Sequence, residues 1–363
     1  MRNIYSILLE SLENNLRVAL GIIISTRGSA PQIPGVSAVF SPQGLIAGTL
    51  GGGLLERDAQ EKSFMAFQKK KPLLYDFHLL DDIASEEGAI CGGSVKVLID
   101  PMPENHLATF QRIAHDIRKR KSGVLATRIE KSDEDEISVS RSWARTREEF
   151  VREGKGYFSF LKEEFKRLVS DEKPQLINFK EKGFLEGKKE NLLFLEIIKP
   201  FPQLVIAGAG HIGRALSHLG HLLDFEVTVV DDRKEYANRE RLPDADQVIV
   251  DEIGKAIKDF PVNEDTYFVI VTRGHHYDAE ALRACIRSEP AYIGMIGSRR
   301  KIKLMREKFI EEGWATDLQF DRVHAPIGID INSKTVEEIA VSIAAELVLV
   351  RSQPRMKKRE KKR

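Results

Sequence analysis

Between residues 200 and 351, short apolar runs alternate with longer stretches in which apolar positions recur every three or four residues. The runs at 203–207, 226–231, 246–250, 266–272 and 291–296 read as strands. The stretches at 211–223, 278–288, 299–312 and 335–351 read as helices. The last helix carries the fullest signals. Thr335 and Glu338 have capping-box spacing, and Ile339, Ala340, Ile343, Ala344, Leu347 and Val348 form one apolar stripe. Strands alternating with helices predict a parallel sheet covered on both faces. Upstream the pattern is less regular. Residues 1–105 are glycine-rich, with strands at 22–25 and 95–99 and a helical stretch after Gly53. Residues 106–199 are highly charged and glycine-poor, with strand-like runs at 123–129 and 192–198.

In a doubly wound sheet, ligands sit beyond the carboxyl ends of the strands. Three loops meet that condition and are expected to line one crevice. In the first, Gly208, Gly210 and Gly213 follow a strand and open a helix, and the next strand ends in Asp231 and Asp232. The complete unit reads as a dinucleotide-type phosphate site. Gly208 permits the turn, Gly210 lets backbone approach a pyrophosphate, and Gly213 lets helix and strand pack closely. The helix N-terminus offers free N–H groups and partial positive charge. Asp231 and Asp232 either accept hydrogen bonds from a ribose or tie down the turn with Arg233. A carboxylate there favours NAD over NADP among nicotinamide cofactors. His211 either touches a phosphate or covers the loop; His218 and His221 read as structural.

The second loop holds Gly274, His275, His276, Tyr277 and Asp278. Histidine and carboxylate suit a metal, but Asp278 stands where a helix N-cap belongs. His275 and Tyr277 are therefore the ligand-contact candidates, with His275 also a candidate acid or base. In the third loop Gly297 and Ser298 precede Arg299, Arg300 and Lys301. Cations at a helix start oppose its dipole, which a bound phosphate or carboxylate would offset; solvated surface charge is the alternative. The fold expected is α/β: a C-terminal Rossmann-like parallel-sheet domain at 200–352 plus a smaller N-terminal α+β domain at 1–105. Residues 106–199 pack with or link the two, and 353–363 form a basic, disordered tail.

The N-terminal region has glycine loops of its own, Gly51-Gly52-Gly53 ahead of Glu56, and Cys91-Gly92-Gly93. Bare backbone there suggests close approach of a ligand or another domain. Cys285 falls on the apolar side of its helix and reads as core. Cys91 is either a thiolate stabilised by turn amides or a structural residue.

Composition narrows the function classes. A chain of 363 residues accommodates two or three domains. The net charge of +1 conceals a tail, Met356 to Arg363, with six Lys/Arg and one Glu. The remaining chain is thus slightly acidic, which argues against a nucleic-acid-binding face. Two cysteines make no disulfide framework, and no run approaches a membrane span, so a soluble cytoplasmic protein is expected.

Together these motifs resemble the XdhC/CoxI family, the xanthine dehydrogenase accessory proteins. The resemblance rests on Gly28-Ser29-Ala30-Pro31 with Pro34-Gly35, Gly48 to Gly53 with Glu56, and Cys91-Gly92-Gly93. Downstream it rests on Gly208-Ala209-Gly210-His211, Val230 to Arg233, Gly274-His275 with Tyr277-Asp278, Tyr292 to Lys301, and His324 to Ile331. It implies a cofactor-binding chaperone rather than a catalyst. Such a protein binds the molybdenum cofactor, as molybdopterin or its dinucleotide, and supports its sulfuration with a cysteine desulfurase. It then aids insertion into a xanthine dehydrogenase-like molybdenum hydroxylase of purine catabolism. No metal is expected on protein ligands alone; molybdenum would come with the pterin, Cys91 being a possible ligand or sulfur carrier. Many relatives carry a cysteine directly after the three glycines, where this chain has Leu54. A homodimer is the default assembly. The alternative function is an NAD-dependent oxidoreductase built on the same glycine turn.

Overall fold

The computed structural model describes residues 4–30, 32–78, 93–132, 134, 136–153, 167–168, 172–178 and 191–353. The chain divides between Pro200 and Phe201 into two compact units.

The first unit opens with α1 (Ile4–Glu13), β1 (Ala19–Arg27), β2 (Ser37–Ser41), β3 (Gly44–Gly48), α2 (Gly53–Lys69), β4 (Leu73–His78) and β5 (Ser94–Asp100). It continues with α3 (Leu107–Arg118), β6 (Gly123–Lys131), β7 (Ile137–Ala144), α4 (Arg147–Glu153), β8 (Gln175–Asn178) and β9 (Asn191–Ile198). Two antiparallel sheets result, in the orders β3-β2-β1-β5-β4 and β7-β6-β9-β8. Leu8, Ile22 and Leu98 share one apolar core with Phe110, Trp143 and Phe194. The charged segment after residue 105 therefore contributes its apolar strand faces to the same core as the first sheet. Burial of this shared surface, at about 25 cal/mol per Å2, binds the two sheets into one unit.

The second unit runs β10 (Gln203–Ala207), α5 (His211–Leu222), β11 (Glu226–Asp231), β12 (Gln247–Val250), α6 (Ile253–Asp259), β13 (Thr266–Ile270) and α7 (His275–Cys285). It ends with β14 (Tyr292–Met295), α8 (Arg299–Glu311), α9 (Asp317–Phe320), β15 (Val323–His324) and α10 (Val336–Ser352). Its six-stranded sheet has the order β12-β11-β10-β13-β14-β15 and is parallel throughout. This is the doubly wound, Rossmann-like arrangement expected. Alternate residues of β10 serve opposite faces: Leu204 and Ile206 join Leu216, Ile343 and Leu347, whereas Val205 and Ala207 join Ile257, Leu282 and Phe309.

The short elements α6, α9 and β15 lie below the length at which periodicity is readable. Helix α7 starts at His275, three residues before the expected 278. Asp278 is therefore not its N-cap. Gly274 takes that position, and the buried Asp278 carboxylate turns back instead onto Thr272, accepting from its N at 3.2 Å and its Oγ1 at 2.6 Å.

Candidate functional site

The three glycines after β10 are required for different reasons. Gly208 has φ +113°, and a Cβ added there would lie 2.5 Å from the Val271 carbonyl oxygen. At Gly213 a Cβ would lie 1.9 Å from the Gly208 carbonyl oxygen. Gly210 is constrained by neither: φ −68° and ψ −167° suit any residue, and no atom lies within 4 Å of an added Cβ. It is the N-cap of α5 and no side chain caps that helix. The first-turn N–H groups thus lack partners within the helix and remain available to an anion.

The neighbouring strand repeats the device. Gly274 caps α7 in extended conformation, again without a side-chain cap and with no atom within 4 Å of an added Cβ. Strands β10 and β13 pair directly, Ala207 opposite Ile270. Two uncapped helices with bare glycine caps therefore begin at adjacent strand ends, where the strand order reverses. Elsewhere in the unit Ser298, Thr316 and Thr335 cap α8, α9 and α10 with their own side chains.

Two carboxylates brace this region. Asp231 is 1% exposed. Its Oδ2 accepts from Ala209 N at 2.8 Å and Arg233 Nη2 at 2.9 Å. Its Oδ1 accepts from Arg233 N at 3.0 Å and Nε at 2.8 Å. Burial alone raises its pKa, but the bonds from Arg233 and Ala209 outweigh that and hold the carboxyl below its ordinary value. Asp232 forms a two-pronged pair with Arg273, at 2.7 and 2.8 Å. Arg273 also donates to the Tyr277 hydroxyl and stacks 4.0 Å from the centre of its ring. The pair joins the loops after β11 and β13, and β10 with its glycine turn lies between those strands in the sheet.

The third loop is tied in by Lys301, whose Nζ bonds to Asp278 Oδ2 while Ser298 accepts from Lys301 N at 3.3 Å. Arg299 and Arg300, next to Gly297, are exposed and unpaired among the described residues. His211 and His275 are exposed as well, and His276 pairs with Glu280 at 3.1 Å. The structure thus gathers Gly208, Gly210, His211, Gly213, Asp231, Asp232, Gly274, His275, Tyr277, Gly297, Ser298, Arg299 and Arg300 along the carboxyl edge of one sheet.

Gly51, Gly52, Gly53 and Glu56 belong to the first unit. The three glycines have φ of +120°, +73° and +56°. Glu56 Oε2 accepts from Thr49 Oγ1 at 2.7 Å and Leu50 N at 3.1 Å, tying the turn to α2. Cys91 lies outside the described residues. Cys285 is core, as its helical position indicates; burial pushes its thiol up to about 12. Among the described residues no three His, Cys, Asp or Glu side chains are grouped to hold a metal ion. No described helix is long and apolar enough to cross a membrane.

Two participants escaped sequence reasoning. Arg273 sits in a quoted loop, yet nothing local marks its reach to Asp232, 41 residues away. Glu346 lies in the last helix and accepts from Tyr292 OH at 2.5 Å, His324 Nδ1 at 2.9 Å and Gly328 N at 2.8 Å. Burial opposes its ionisation, but those three bonds outweigh it and keep it below its ordinary pKa. This fastens the loop after β15.

Residues 204–347 match the XdhC Rossmann domain, and residues 11–78 match the XdhC and CoxI family. A protein of Bacillus subtilis named as a probable xanthine dehydrogenase component is 26% identical, over 97% of this chain and 98% of its own. The uncharacterized protein YqeB of Escherichia coli is 25% identical over 96% of this chain, which spans only 46% of that longer protein. The molybdenum cofactor insertion chaperone PaoD of Escherichia coli is 28% identical over 90 residues, 25% of this chain and 28% of its own. A crystal structure titled as a xanthine dehydrogenase from Bacillus halodurans shares the fold, with a TM-score of 0.74, 23% identity and 95% coverage of both chains.

Proposed function

Because the chain belongs to the XdhC/CoxI family, we propose that the crevice at β10 and β13 holds the phosphate end of a molybdenum cofactor for delivery to a partner hydroxylase. The observation that carries this reading is the pair of bare, uncapped helix N-termini at Gly210 and Gly274. Space and unpartnered N–H groups are what a phosphate requires, and exposed Arg299 and Arg300 add charge complementarity nearby. Residues of this chain would hold the group: the α5 and α7 N-termini its phosphate, with His211, His275 and Tyr277 beside them. When seated in the hydroxylase, the cofactor supplies the redox-active molybdenum. Asp231 acts as a brace for the turn and not as a ligand contact, since four donors already occupy its oxygens.

Support from relatives is consistent. One relative is named as a cofactor insertion chaperone and another as a component of xanthine dehydrogenase. A xanthine dehydrogenase-like molybdenum hydroxylase is the partner we propose, with a cysteine desulfurase supplying sulfur, in the cytoplasm and as a homodimer. No described residue arrangement independently favours the NAD-dependent oxidoreductase.

Gly210→Ala tests the reading, because the fold has room for the methyl group and the backbone angles are ordinary. Protein purified without oxygen from a cofactor-producing host should carry a pterin detectable by fluorescence after oxidation. Gly210→Ala should keep its thermal midpoint and lose most of the pterin. Equal retention by both proteins, or none by the parent chain, would remove the crevice as the cofactor site.

A further inference from the structure

The geometry points to Arg273 as a specificity-determining residue that closes the crevice to ribose diols, so that the site takes a phosphomonoester pterin rather than a ribose-bearing dinucleotide. This rests on the reading of the crevice as a cofactor site. In a doubly wound fold, the carboxylate at the end of the second strand ordinarily accepts hydrogen bonds from the ribose hydroxyls of a dinucleotide. Here two carboxylates stand at that position and neither is open. Asp231 is 1% exposed, and its two oxygens accept four hydrogen bonds from Ala209 and Arg233. Asp232 is taken by both prongs of Arg273.

Arg273 is held in place from two further directions. The Tyr277 hydroxyl accepts from the same guanidinium, and the Tyr277 ring lies 4.0 Å beneath it. A planar fork seated on a carboxylate and stacked on a ring is pre-organised, so little freedom remains to be lost. A diol entering this position has to displace those contacts before it gains its own. A terminal phosphate has no such conflict. It needs only N–H donors and cations, which Gly210, Gly274, Arg299 and Arg300 provide without disturbing either acid. The two Asp–Arg pairs are close to neutral together, so the local charge that remains for a ligand is cationic.

Titration of the full chain with ADP-ribose, a dinucleotide fragment with free ribose diols, tests the assignment. Arg273→Gln uncovers Asp232 at the surface, away from the apolar core, and is expected to bind ADP-ribose about tenfold more tightly than the parent chain. Adding Asp232→Asn to that variant should return binding to the parent level. Parent binding as tight as Arg273→Gln, or no reversal in the double variant, overturns the assignment. The pterin recovered from the parent chain separates this from the broader reading. A pterin with a free phosphomonoester supports both. A pterin carrying a nucleotide keeps the cofactor site and overturns the exclusion of diols. No pterin at all ends the cofactor reading, and the ADP-ribose titrations then decide the role of Arg273 alone.

Discussion

The turn at Gly51–Gly53 and the turn at Gly208–Gly213 both lead into a helix, and a carboxylate ties down each. In the first unit, the left-handed φ of all three glycines explains why no other residue stands there. Glu56 reaches back from the helix that the turn introduces. In the second unit, only Gly208 has such a backbone; Gly213 is required by a packed carbonyl, and Gly210 by nothing within the protein. The brace there, Asp231, comes from the neighbouring strand and is buried. A turn whose glycines answer to its own backbone is a structural feature. A turn with one glycine unexplained by conformation or packing has a place kept for something else.

The largest effect should come from Gly213→Ala, whose Cβ would meet the Gly208 carbonyl oxygen at 1.9 Å. We expect a loss of about 3 kcal/mol or more in the second unit. Trp314 reports on that unit in urea once Trp143, the other tryptophan, is replaced by Phe. A loss below about 1 kcal/mol would mean that helix and strand are not locked together through this glycine.

Buried acids extend the contrast between the units. Glu196 lies in the first core, where it accepts a hydrogen bond from Tyr5 OH at 2.5 Å. Burial raises its pKa from the ordinary 4.5 to about 7, against the lowering influence of Tyr5 and Arg141. Its folded pKa is raised, so the stability it contributes is complete below pH 4.5 and is lost as pH rises through about 7. The difference is about 3 kcal/mol, and Glu196→Gln should flatten it. Urea unfolding followed through Trp143, in a Trp314→Phe chain, measures this; an unchanged pH slope in Glu196→Gln would refute it.

Asp231 has the opposite sign. Its folded pKa is lowered, so its contribution is present above its ordinary 3.8 and is lost as pH falls below that value through the folded pKa. Asp231→Asn at neutral pH should cost about 2 kcal/mol, because Arg233 loses its partner while remaining partly solvated. The same substitution should remove the acid-side loss of stability seen through Trp314. The smallest effect is expected at Arg306, whose pairs with Asp317 and Asp321 are solvent-exposed. Arg306→Ala should shift urea stability by less than about 1 kcal/mol.

The parallel sheet was readable because its strands are buried on both faces and appear as continuous apolar runs. Leu204 to Ala207 and Phe268 to Ile270 need no partner to be recognised. The first unit was harder. Its sheets are antiparallel, and its charged segment advertises only its solvent side, although Phe110, Trp143 and Phe194 supply much of the core. The glycine turn was legible to the residue, since its spacing is a local property. The start of α7 was not, because Asp278 is a good cap by type and was drawn instead to Thr272 and Lys301.

The sequence by itself determined the strand–helix alternation, the three glycines and the acids that follow them, since each depends on spacing along a few turns of backbone. Only the tertiary structure decided which acids remain open. Asp232 meets Arg273 across 41 residues, Asp278 meets Lys301 across 23, and Tyr5 meets Glu196 across 191. A hydrogen bond needs its two atoms about 3 Å apart, and no pattern along the chain specifies that distance between residues so far removed in sequence.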